Sequence, residues 1–149
     1  MRNIDRAARL IAEVRALGAT AFCVCAGSRN SPLLAALGDS DARLFSFVDE
    51  RSAAFFALGR AKRDGAPVAV VTTSGTAVAE MLPATIEAHY SGVPLILISA
   101  DRPARFRGTG APQSIEQVGI FGVYAETSAE GWSRQRALHI NIEFDEPLL

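Results

Sequence analysis

The chain has 149 residues, of which 49% are hydrophobic and 21% are charged, and its net charge at pH 7 is −1. This length fits one compact domain with enough apolar material for a core, and the scattered basic residues give no electrostatic footprint for nucleic acid. No stretch approaches the roughly 20 apolar residues of a membrane span, and the N-terminus lacks the apolar core of a signal peptide, so we expect a cytoplasmic protein.

Predicted helices and strands alternate along the first two thirds of the chain. Apolar residues at helical spacing, followed by Gly18, predict a helix over residues 4–17. The apolar run "AFCVCA" predicts a buried strand over 21–26, and the loop "GSRNS" then leads into a helix that begins at Pro32. The later predicted elements are a strand over 43–48, a helix over 51–65, a strand over 67–73, a helix over 76–90 and a strand over 93–99.

The first predicted strand contains both cysteines of the chain, Cys23 and Cys25. Side chains two residues apart on a strand point to the same face, so these two are poorly placed to bridge each other. We interpret them as buried, reduced thiols.

The strands are nearly continuous apolar runs separated by helices, a pattern typical of a parallel sheet covered on both faces. The sequence therefore predicts an α/β fold with a doubly wound, mainly parallel sheet. After Asp101 we expect a long loop leading to a short helix. The alternating segment 137–144 predicts a last strand at an edge of the sheet.

Polar residues follow four of the predicted strands. Because ligands of open α/β sheets bind beyond the carboxyl ends of the strands, these segments should form the functional edge. The segments are Gly27-Ser28-Arg29, Asp49-Glu50, Thr73-Ser74-Gly75-Thr76 and Asp101-Arg102-Pro103.

Each of these segments also has a purely structural interpretation. Ser74 lacks the G-x-S-x-G context of a nucleophile elbow, so we expect the serine and threonines of its turn to cap a helix. Ser28 and Arg29 form either a turn with a cap or a cradle for a carboxylate or phosphate. Asp49 and Glu50 suit a helix N-terminus. A Rossmann-like nucleotide-binding domain is disfavoured because the glycine fingerprint is missing, and no Cys/His cluster has metal-ligand spacing, so we expect no metal site.

Five segments together carry a family resemblance. They are "GSRNSPL", "DERSAAFFALGRAK", "VAVVTTSGTA", "EAHYSGVPLILISADRP" and "GTGAPQSIEQVGIFG". In order and spacing they resemble the N-terminal pyrimidine-binding (PYR) domain of the 2-succinyl-5-enolpyruvyl-6-hydroxy-3-cyclohexene-1-carboxylate (SEPHCHC) synthase family, within the thiamine-diphosphate (ThDP) enzymes. The resemblance covers residues 20–122 and the last strand, and it implies that residues 1–149 are a PYR domain of a longer multidomain enzyme.

The resemblance implies a transferase of menaquinone biosynthesis. In this family ThDP attacks 2-oxoglutarate, and the carbanion left by decarboxylation adds to isochorismate. A separate domain with a G-D-G…N motif, which this sequence lacks, binds the diphosphate and Mg²⁺. The PYR domain meets the diphosphate domain of another subunit, which implies a homo-oligomer (dimer or tetramer) and an isolated fragment without activity.

The resemblance also assigns roles to individual residues. Glu50 matches the glutamate that binds N1′ of the aminopyrimidine and activates the cofactor, and Thr76 matches a position near the cofactor's ring. Asp49 or Ser52 is then left as a local helix cap. The positions that match substrate contacts are Ser28, Arg29, Arg102 and Gln113.

The sequence departs from the family in two further places. Pro112 stands where the family often has Asn, and the stretch between Gly122 and Ala137 is shorter than expected. A non-catalytic anion-binding or regulatory module that retains the PYR fold is therefore the alternative.

Overall fold

The computed structural model describes residues 1–149 and contains one six-stranded sheet whose neighbouring strands are all parallel. The strands are β1 (Phe22–Cys25), β2 (Leu44–Phe47), β3 (Val68–Thr72), β4 (Leu95–Asp101), β5 (Ala125–Glu126) and β6 (Ala137–Glu143). The helices are α1 (Asn3–Ala16), α2 (Ser31–Gly38), α3 (Glu50–Asp64), α4 (Thr76–Ala79) and α5 (Leu82–Ser91). The predicted α/β class and parallel sheet are confirmed.

The strand order is β2-β1-β3-β4-β6-β5. From β1 the chain first moves outward to β2 and then returns to the opposite side of β1 to form β3. The connections therefore diverge between β1 and β3, which makes the carboxyl ends of these two strands the topological switch point of the sheet.

Helices cover both faces of the sheet, as predicted. Helices α3 and α5 pack over one apolar cluster, which contains Cys23 and Cys25. Helices α1 and α2 pack over the other cluster, to which β1 contributes Phe22 and Val24. The period-two alternation along β1 thus divides its side chains between two cores. Both cysteines are buried and unbridged, and burial raises the pKa of each thiol to about 12, so both thiols are protonated at neutral pH.

Two predicted helices differ from the structure. The helix predicted over 76–90 is two helices, because Pro83 lacks the N–H that would continue α4 and instead occupies the first turn of α5. The short helix expected after Asp101 is replaced by 3₁₀ turns at Ala104–Phe106 and Gly122–Tyr124. Glycines with positive φ interrupt this segment, including Gly119 at 76°.

The last predicted strand is an edge strand only in part. Strand β6 lies between β4 and β5, but the two-residue β5 pairs only with Ala137 and Leu138. The remainder of β6 is open on that side. None of the helices combines the length and apolarity that crossing a bilayer requires.

Candidate active site

The carboxyl ends of β1 and β3 approach each other closely at the switch point. A Cβ atom added to Gly27 would lie 2.6 Å from Cβ of Thr73, a separation that real Cβ atoms do not tolerate. Only glycine therefore allows the "GSRNS" loop to leave β1 beside the "TSGT" turn. The two loops that carry Ser28 and Thr76 are held at this edge by direct packing.

Asn30 fixes the shape of the first loop. Its side chain is fully buried, accepts a hydrogen bond from the Gly27 N–H at 2.9 Å and donates to the Cys25 carbonyl at 2.8 Å. The sequence offered a signal for this residue, because asparagine directly before a serine and a proline is typical of a helix start.

Ser28 and Arg29, the first two predicted substrate contacts, have different environments. Ser28 is exposed, whereas Arg29 is only 6% exposed. The Arg29 guanidinium donates to the Phe144 carbonyl at 2.9 Å and lies 3.1 Å from a Glu146 carboxylate oxygen. A ligand carboxylate that binds Arg29 would compete with Glu146, which is the more exposed partner.

Asp49 and Glu50 separate into two roles at the start of α3. The Asp49 carboxylate accepts hydrogen bonds from the backbone N–H of Ser52 at 2.8 Å and from its hydroxyl at 2.7 Å, and these bonds lower the pKa of Asp49. This confirms that Asp49 is the local cap. The Glu50 side chain is half-buried and makes no hydrogen bond or ion pair, so its carboxyl is free to bind a ligand.

Glu50 lies near the end of β1 as well as the end of β2. Burial is the largest cause of the raised pKa of Cys25, and the next is the negative charge of Glu50. The carboxyl is therefore close enough for its charge to act on the last residue of β1. Glu50 follows the edge strand β2, whose last residue, Phe47, pairs with Cys25 at the end of β1, so the carboxyl lies beside the β1 side of the switch point.

The "TSGT" turn is not capped by its own side chains, contrary to our expectation. Helix α4 begins after Gly75 without a side-chain cap, and Ser74 is 2% exposed. Two glutamines hold the turn instead. Gln113 donates to the Ser74 carbonyl at 3.3 Å, and the Gly75 N–H donates to Oε1 of Gln117 at 3.0 Å. Thr76, which follows the turn, is exposed.

Three arginines follow β4, and they differ in their partners. Arg105 pairs with Asp145 at 2.6 Å, and Arg107 lies between Asp101 and Glu143 at 3.1 and 2.8 Å. Arg102 has no carboxylate partner, and its Nε donates to the Pro112 carbonyl at 2.9 Å. Arg102 is therefore the arginine of this group that has charge available for an anionic ligand.

The structure places the predicted site residues in two groups. Arg102, Gln113 and Thr76 form one group, because the loop that holds the "TSGT" turn also contacts Arg102. Glu50 and Ser28 form a second group at the ends of β2 and β1. None of these five residues lines a hollow in the surface of the protein. No three His, Cys, Asp or Glu side chains gather in a way that could hold a metal ion.

The fold, a doubly wound parallel sheet with polar residues beyond the carboxyl ends of its strands, belongs to a class that binds ligands at that edge. The chain belongs to the family of thiamine pyrophosphate enzymes, as an N-terminal TPP binding domain, and the family model matches residues 5–120. Thiamine pyrophosphate is another name for ThDP. The predicted membership of the ThDP enzymes is confirmed.

Several curated relatives carry the same specific name, 2-succinyl-5-enolpyruvyl-6-hydroxy-3-cyclohexene-1-carboxylate synthase. The protein of Bdellovibrio bacteriovorus is 47% identical over 161 residues, covering 100% of this chain and 31% of its own length. That of Corynebacterium diphtheriae is 48% identical, with coverage of 100% and 31%. That of Akkermansia muciniphila is 47% identical, with coverage of 93% and 28%. The chain thus spans about a third of the length of these relatives.

Proposed function

We propose that residues 1–149 are the PYR domain of a longer, cytoplasmic SEPHCHC synthase. This ThDP-dependent transferase of menaquinone biosynthesis would decarboxylate 2-oxoglutarate and join the product to isochorismate. The observation that carries the proposal is the free, half-buried carboxyl of Glu50 beside the switch point. Two relatives that bear that enzyme's name match this chain along its whole length.

The residues present fit the pyrimidine half of the cofactor. Glu50 has no partner within the chain, so its carboxyl can share a proton with N1′ of the aminopyrimidine. Thr76 is exposed on the turn that follows β3, and by the family resemblance it would lie near the ring of the bound cofactor. When bound, ThDP supplies the carbanion chemistry, and the protein orients and polarises it.

Four side chains would handle the substrates. The unpaired charge of Arg102 suits a bidentate contact with a carboxylate. Exposed Gln113 and Ser28 can hydrogen-bond to hydroxyl or carboxylate oxygens of isochorismate or 2-oxoglutarate. Arg29 joins them when a substrate carboxylate replaces Glu146. Both substrates carry two carboxylates, which accounts for arginines at more than one strand end.

The diphosphate and Mg²⁺ need a second domain. The chain has no gathered set of metal ligands, and its candidate site lies on an open surface. Mg²⁺ prefers carboxylate and phosphate oxygens in near-octahedral geometry. We therefore assign the metal and the diphosphate to a domain outside this chain, and we expect the isolated fragment to be inactive.

An apolar surface next to Glu50 supports an oligomer. Val48 is fully exposed two residues before Glu50, and Phe55 and Phe56 of α3 are 42% and 40% exposed. Exposed aromatic and aliphatic side chains are typical of protein–protein interfaces. We propose that this surface packs against the diphosphate domain of another subunit in a homo-oligomer, which would also enclose Glu50.

The test is an assay of the longer protein that includes this chain. With ThDP, Mg²⁺, 2-oxoglutarate and isochorismate, we expect release of CO₂ and formation of the adduct, and removal of Mg²⁺ with a chelator should abolish both. A longer protein that binds ThDP but forms no adduct would refute the proposed reaction. The alternative of a non-catalytic module, which the names of the relatives do not favour, predicts neither cofactor binding nor turnover.

A further inference from the structure

We propose that Gln117 is a positioning residue that fixes the "TSGT" turn and, with it, the cofactor and substrate contacts on either side. Its role in turnover rests on the proposed function, but its action on the turn does not. The Gln117 side chain makes no hydrogen bond to Glu50 or to any residue predicted to contact a ligand directly. Its effect is expected through the backbone of Gly75.

The Gln117 side chain is fully buried and all of its principal hydrogen-bonding groups are used. Oε1 accepts from the Gly75 N–H at 3.0 Å. Nε2 donates to the Ala100 carbonyl at 3.0 Å and to Oδ1 of Asn141 at 2.7 Å. One side chain therefore ties the turn after β3 to the end of β4 and to β6.

This arrangement requires a glutamine. A side chain that accepts at one atom and donates twice at another satisfies Gly75, Ala100 and Asn141 together. A methionine of similar length would leave the Gly75 N–H and the Ala100 carbonyl buried without partners, which is costly. A glutamate would place a carboxylate oxygen against two acceptors.

A buried polar network holds Gln117 in place. Asn141 Oδ1 also accepts from the Ser99 hydroxyl at 2.8 Å, and its Nδ2 donates to Asp101 at 3.0 Å. Because Ser99 gives its only proton to Asn141, the 2.7 Å contact between Ser99 and His139 requires His139 to donate from Nε2. Donation therefore runs from the Gly75 N–H through Gln117 to Asn141 and on to Asp101, which limits the rotamers open to Gln117.

The turn that Gln117 holds also sets the position of Gln113. Gly75 has φ of 86°, and a Cβ atom on it would lie 3.0 Å from both Cα and Cβ of Gln113. Gln113 itself has φ of 55° and contacts the Ser74 carbonyl. A displacement of Gly75 would therefore move Gln113 on one side and Thr76 on the other.

The direct test is amide hydrogen exchange at Gly75 in residues 1–149. The wild-type amide should be protected, and Gln117→Met should accelerate its exchange at least about tenfold while amides of β1 and β3 keep their protection. The matched control is Gln135→Met, at an exposed glutamine remote from the turn. Rapid exchange of Gly75 in the wild type, or unchanged exchange in Gln117→Met, would overturn the proposal.

Gln117→Glu provides a second test should the methionine variant fold poorly. A protonated carboxyl retains an acceptor for Gly75 and one donor, whereas an ionised one loses the donor and is disfavoured by burial. The protection of the Gly75 amide should be close to wild type at about pH 5.5 and should fall at about pH 8. If the protection of the Gly75 amide did not change with pH in this variant, the result would count against the hydrogen-bond mechanism.

Kinetics of the longer protein separate this proposal from the proposed function. In Gln117→Met, KM for isochorismate and the half-saturating ThDP concentration should rise by about tenfold, whereas loss of folded enzyme alone would lower only kcat. Faster Gly75 exchange with unchanged kinetic constants would refute the positioning role. Faster exchange in a protein whose wild type lacks synthase activity would refute the proposed function and leave the control of the turn by Gln117 standing.

Discussion

Gly27 lies against Thr73 at the carboxyl ends of two strands: a Cβ atom on Gly27 would lie 2.6 Å from the Cβ of Thr73. These residues follow β1 and β3, where the chain reverses its direction of winding. The contact draws the loop bearing Ser28 and the turn bearing Thr76 to a common edge. The candidate site therefore depends on glycine at position 27, because any side chain there would collide with Thr73.

Gly27→Ala is predicted to destabilise the domain by about 1–3 kcal/mol, because the added methyl group collides with Thr73. The measurement is urea unfolding of residues 1–149. The matched control is Gly59→Ala in α3, where a Cβ atom meets nothing within 4 Å. That substitution should stabilise by about 0.5–1 kcal/mol. Equal effects of the two alanines would show that the contact with Thr73 does not constrain the fold.

His139 is predicted to make the domain sensitive to mild acid. Burial lowers the pKa of His139 from its usual 6.5 to about 4, so between these values the unfolded chain binds a proton that the folded chain does not. The free energy of unfolding is therefore highest above about pH 6.5 and falls by about 3 kcal/mol as the pH drops to about 4.

Denaturant unfolding across that pH range checks this prediction. His139→Gln, which keeps a donor for Ser99, should flatten the decline above about pH 4.5, where carboxylates contribute little. The matched control His89→Gln should retain the decline. A wild-type protein of constant stability between about pH 6.5 and pH 4.5 would contradict the prediction.

Arg102→Ala in the longer protein is predicted to raise KM for isochorismate by about 10- to 100-fold, the effect of losing one charge-assisted hydrogen bond. Arg102→Lys should recover part of the loss, because it restores the charge without the planar fork. Arg105→Ala is the control, since Arg105 is already paired with Asp145. Unchanged kinetics for isochorismate in Arg102→Ala would remove Arg102 from the substrate site.

The chain of 149 residues alone is predicted to bind ThDP weakly or not at all, because the diphosphate and metal half of the site is assigned to another domain. Calorimetry with ThDP in the presence and absence of Mg²⁺ measures this directly. Tight binding that depends on Mg²⁺ would show that these residues contain a whole cofactor site, and it would contradict the assignment of the diphosphate and metal to another domain.

The apolar runs of the sequence predicted the fold well for a physical reason. Strands β1, β3 and β4 are buried along their whole length, so hydrophobicity alone marks them. The two-residue β5 has no such signal, because its pairing with β6 depends on tertiary contact. Pro83 indicated the interruption between α4 and α5. The helical spacing of its neighbours nevertheless led to the prediction of one continuous helix.

The candidate site was only partly predictable, because many of its contacts join distant segments. The position of Glu50 follows from the strand that precedes it and from the family resemblance. The contact of Arg29 with the Phe144 carbonyl spans 115 positions, and that of Gly75 with Gln117 spans 42. No local pattern indicates such pairs, since each depends on how β6 and the loop after β4 return to the sheet.

Glu50→Gln in the longer protein tests the central claim most directly. The variant keeps the shape of the side chain but cannot share a proton with N1′ of the aminopyrimidine. We predict that kcat falls by about 10²- to 10⁴-fold while KM for 2-oxoglutarate changes little. The neighbouring Asp49→Asn variant, which loses a charge but retains a capping side chain, should keep near-normal turnover. Near-normal turnover in Glu50→Gln would instead show that Glu50 is only a charge at the start of α3.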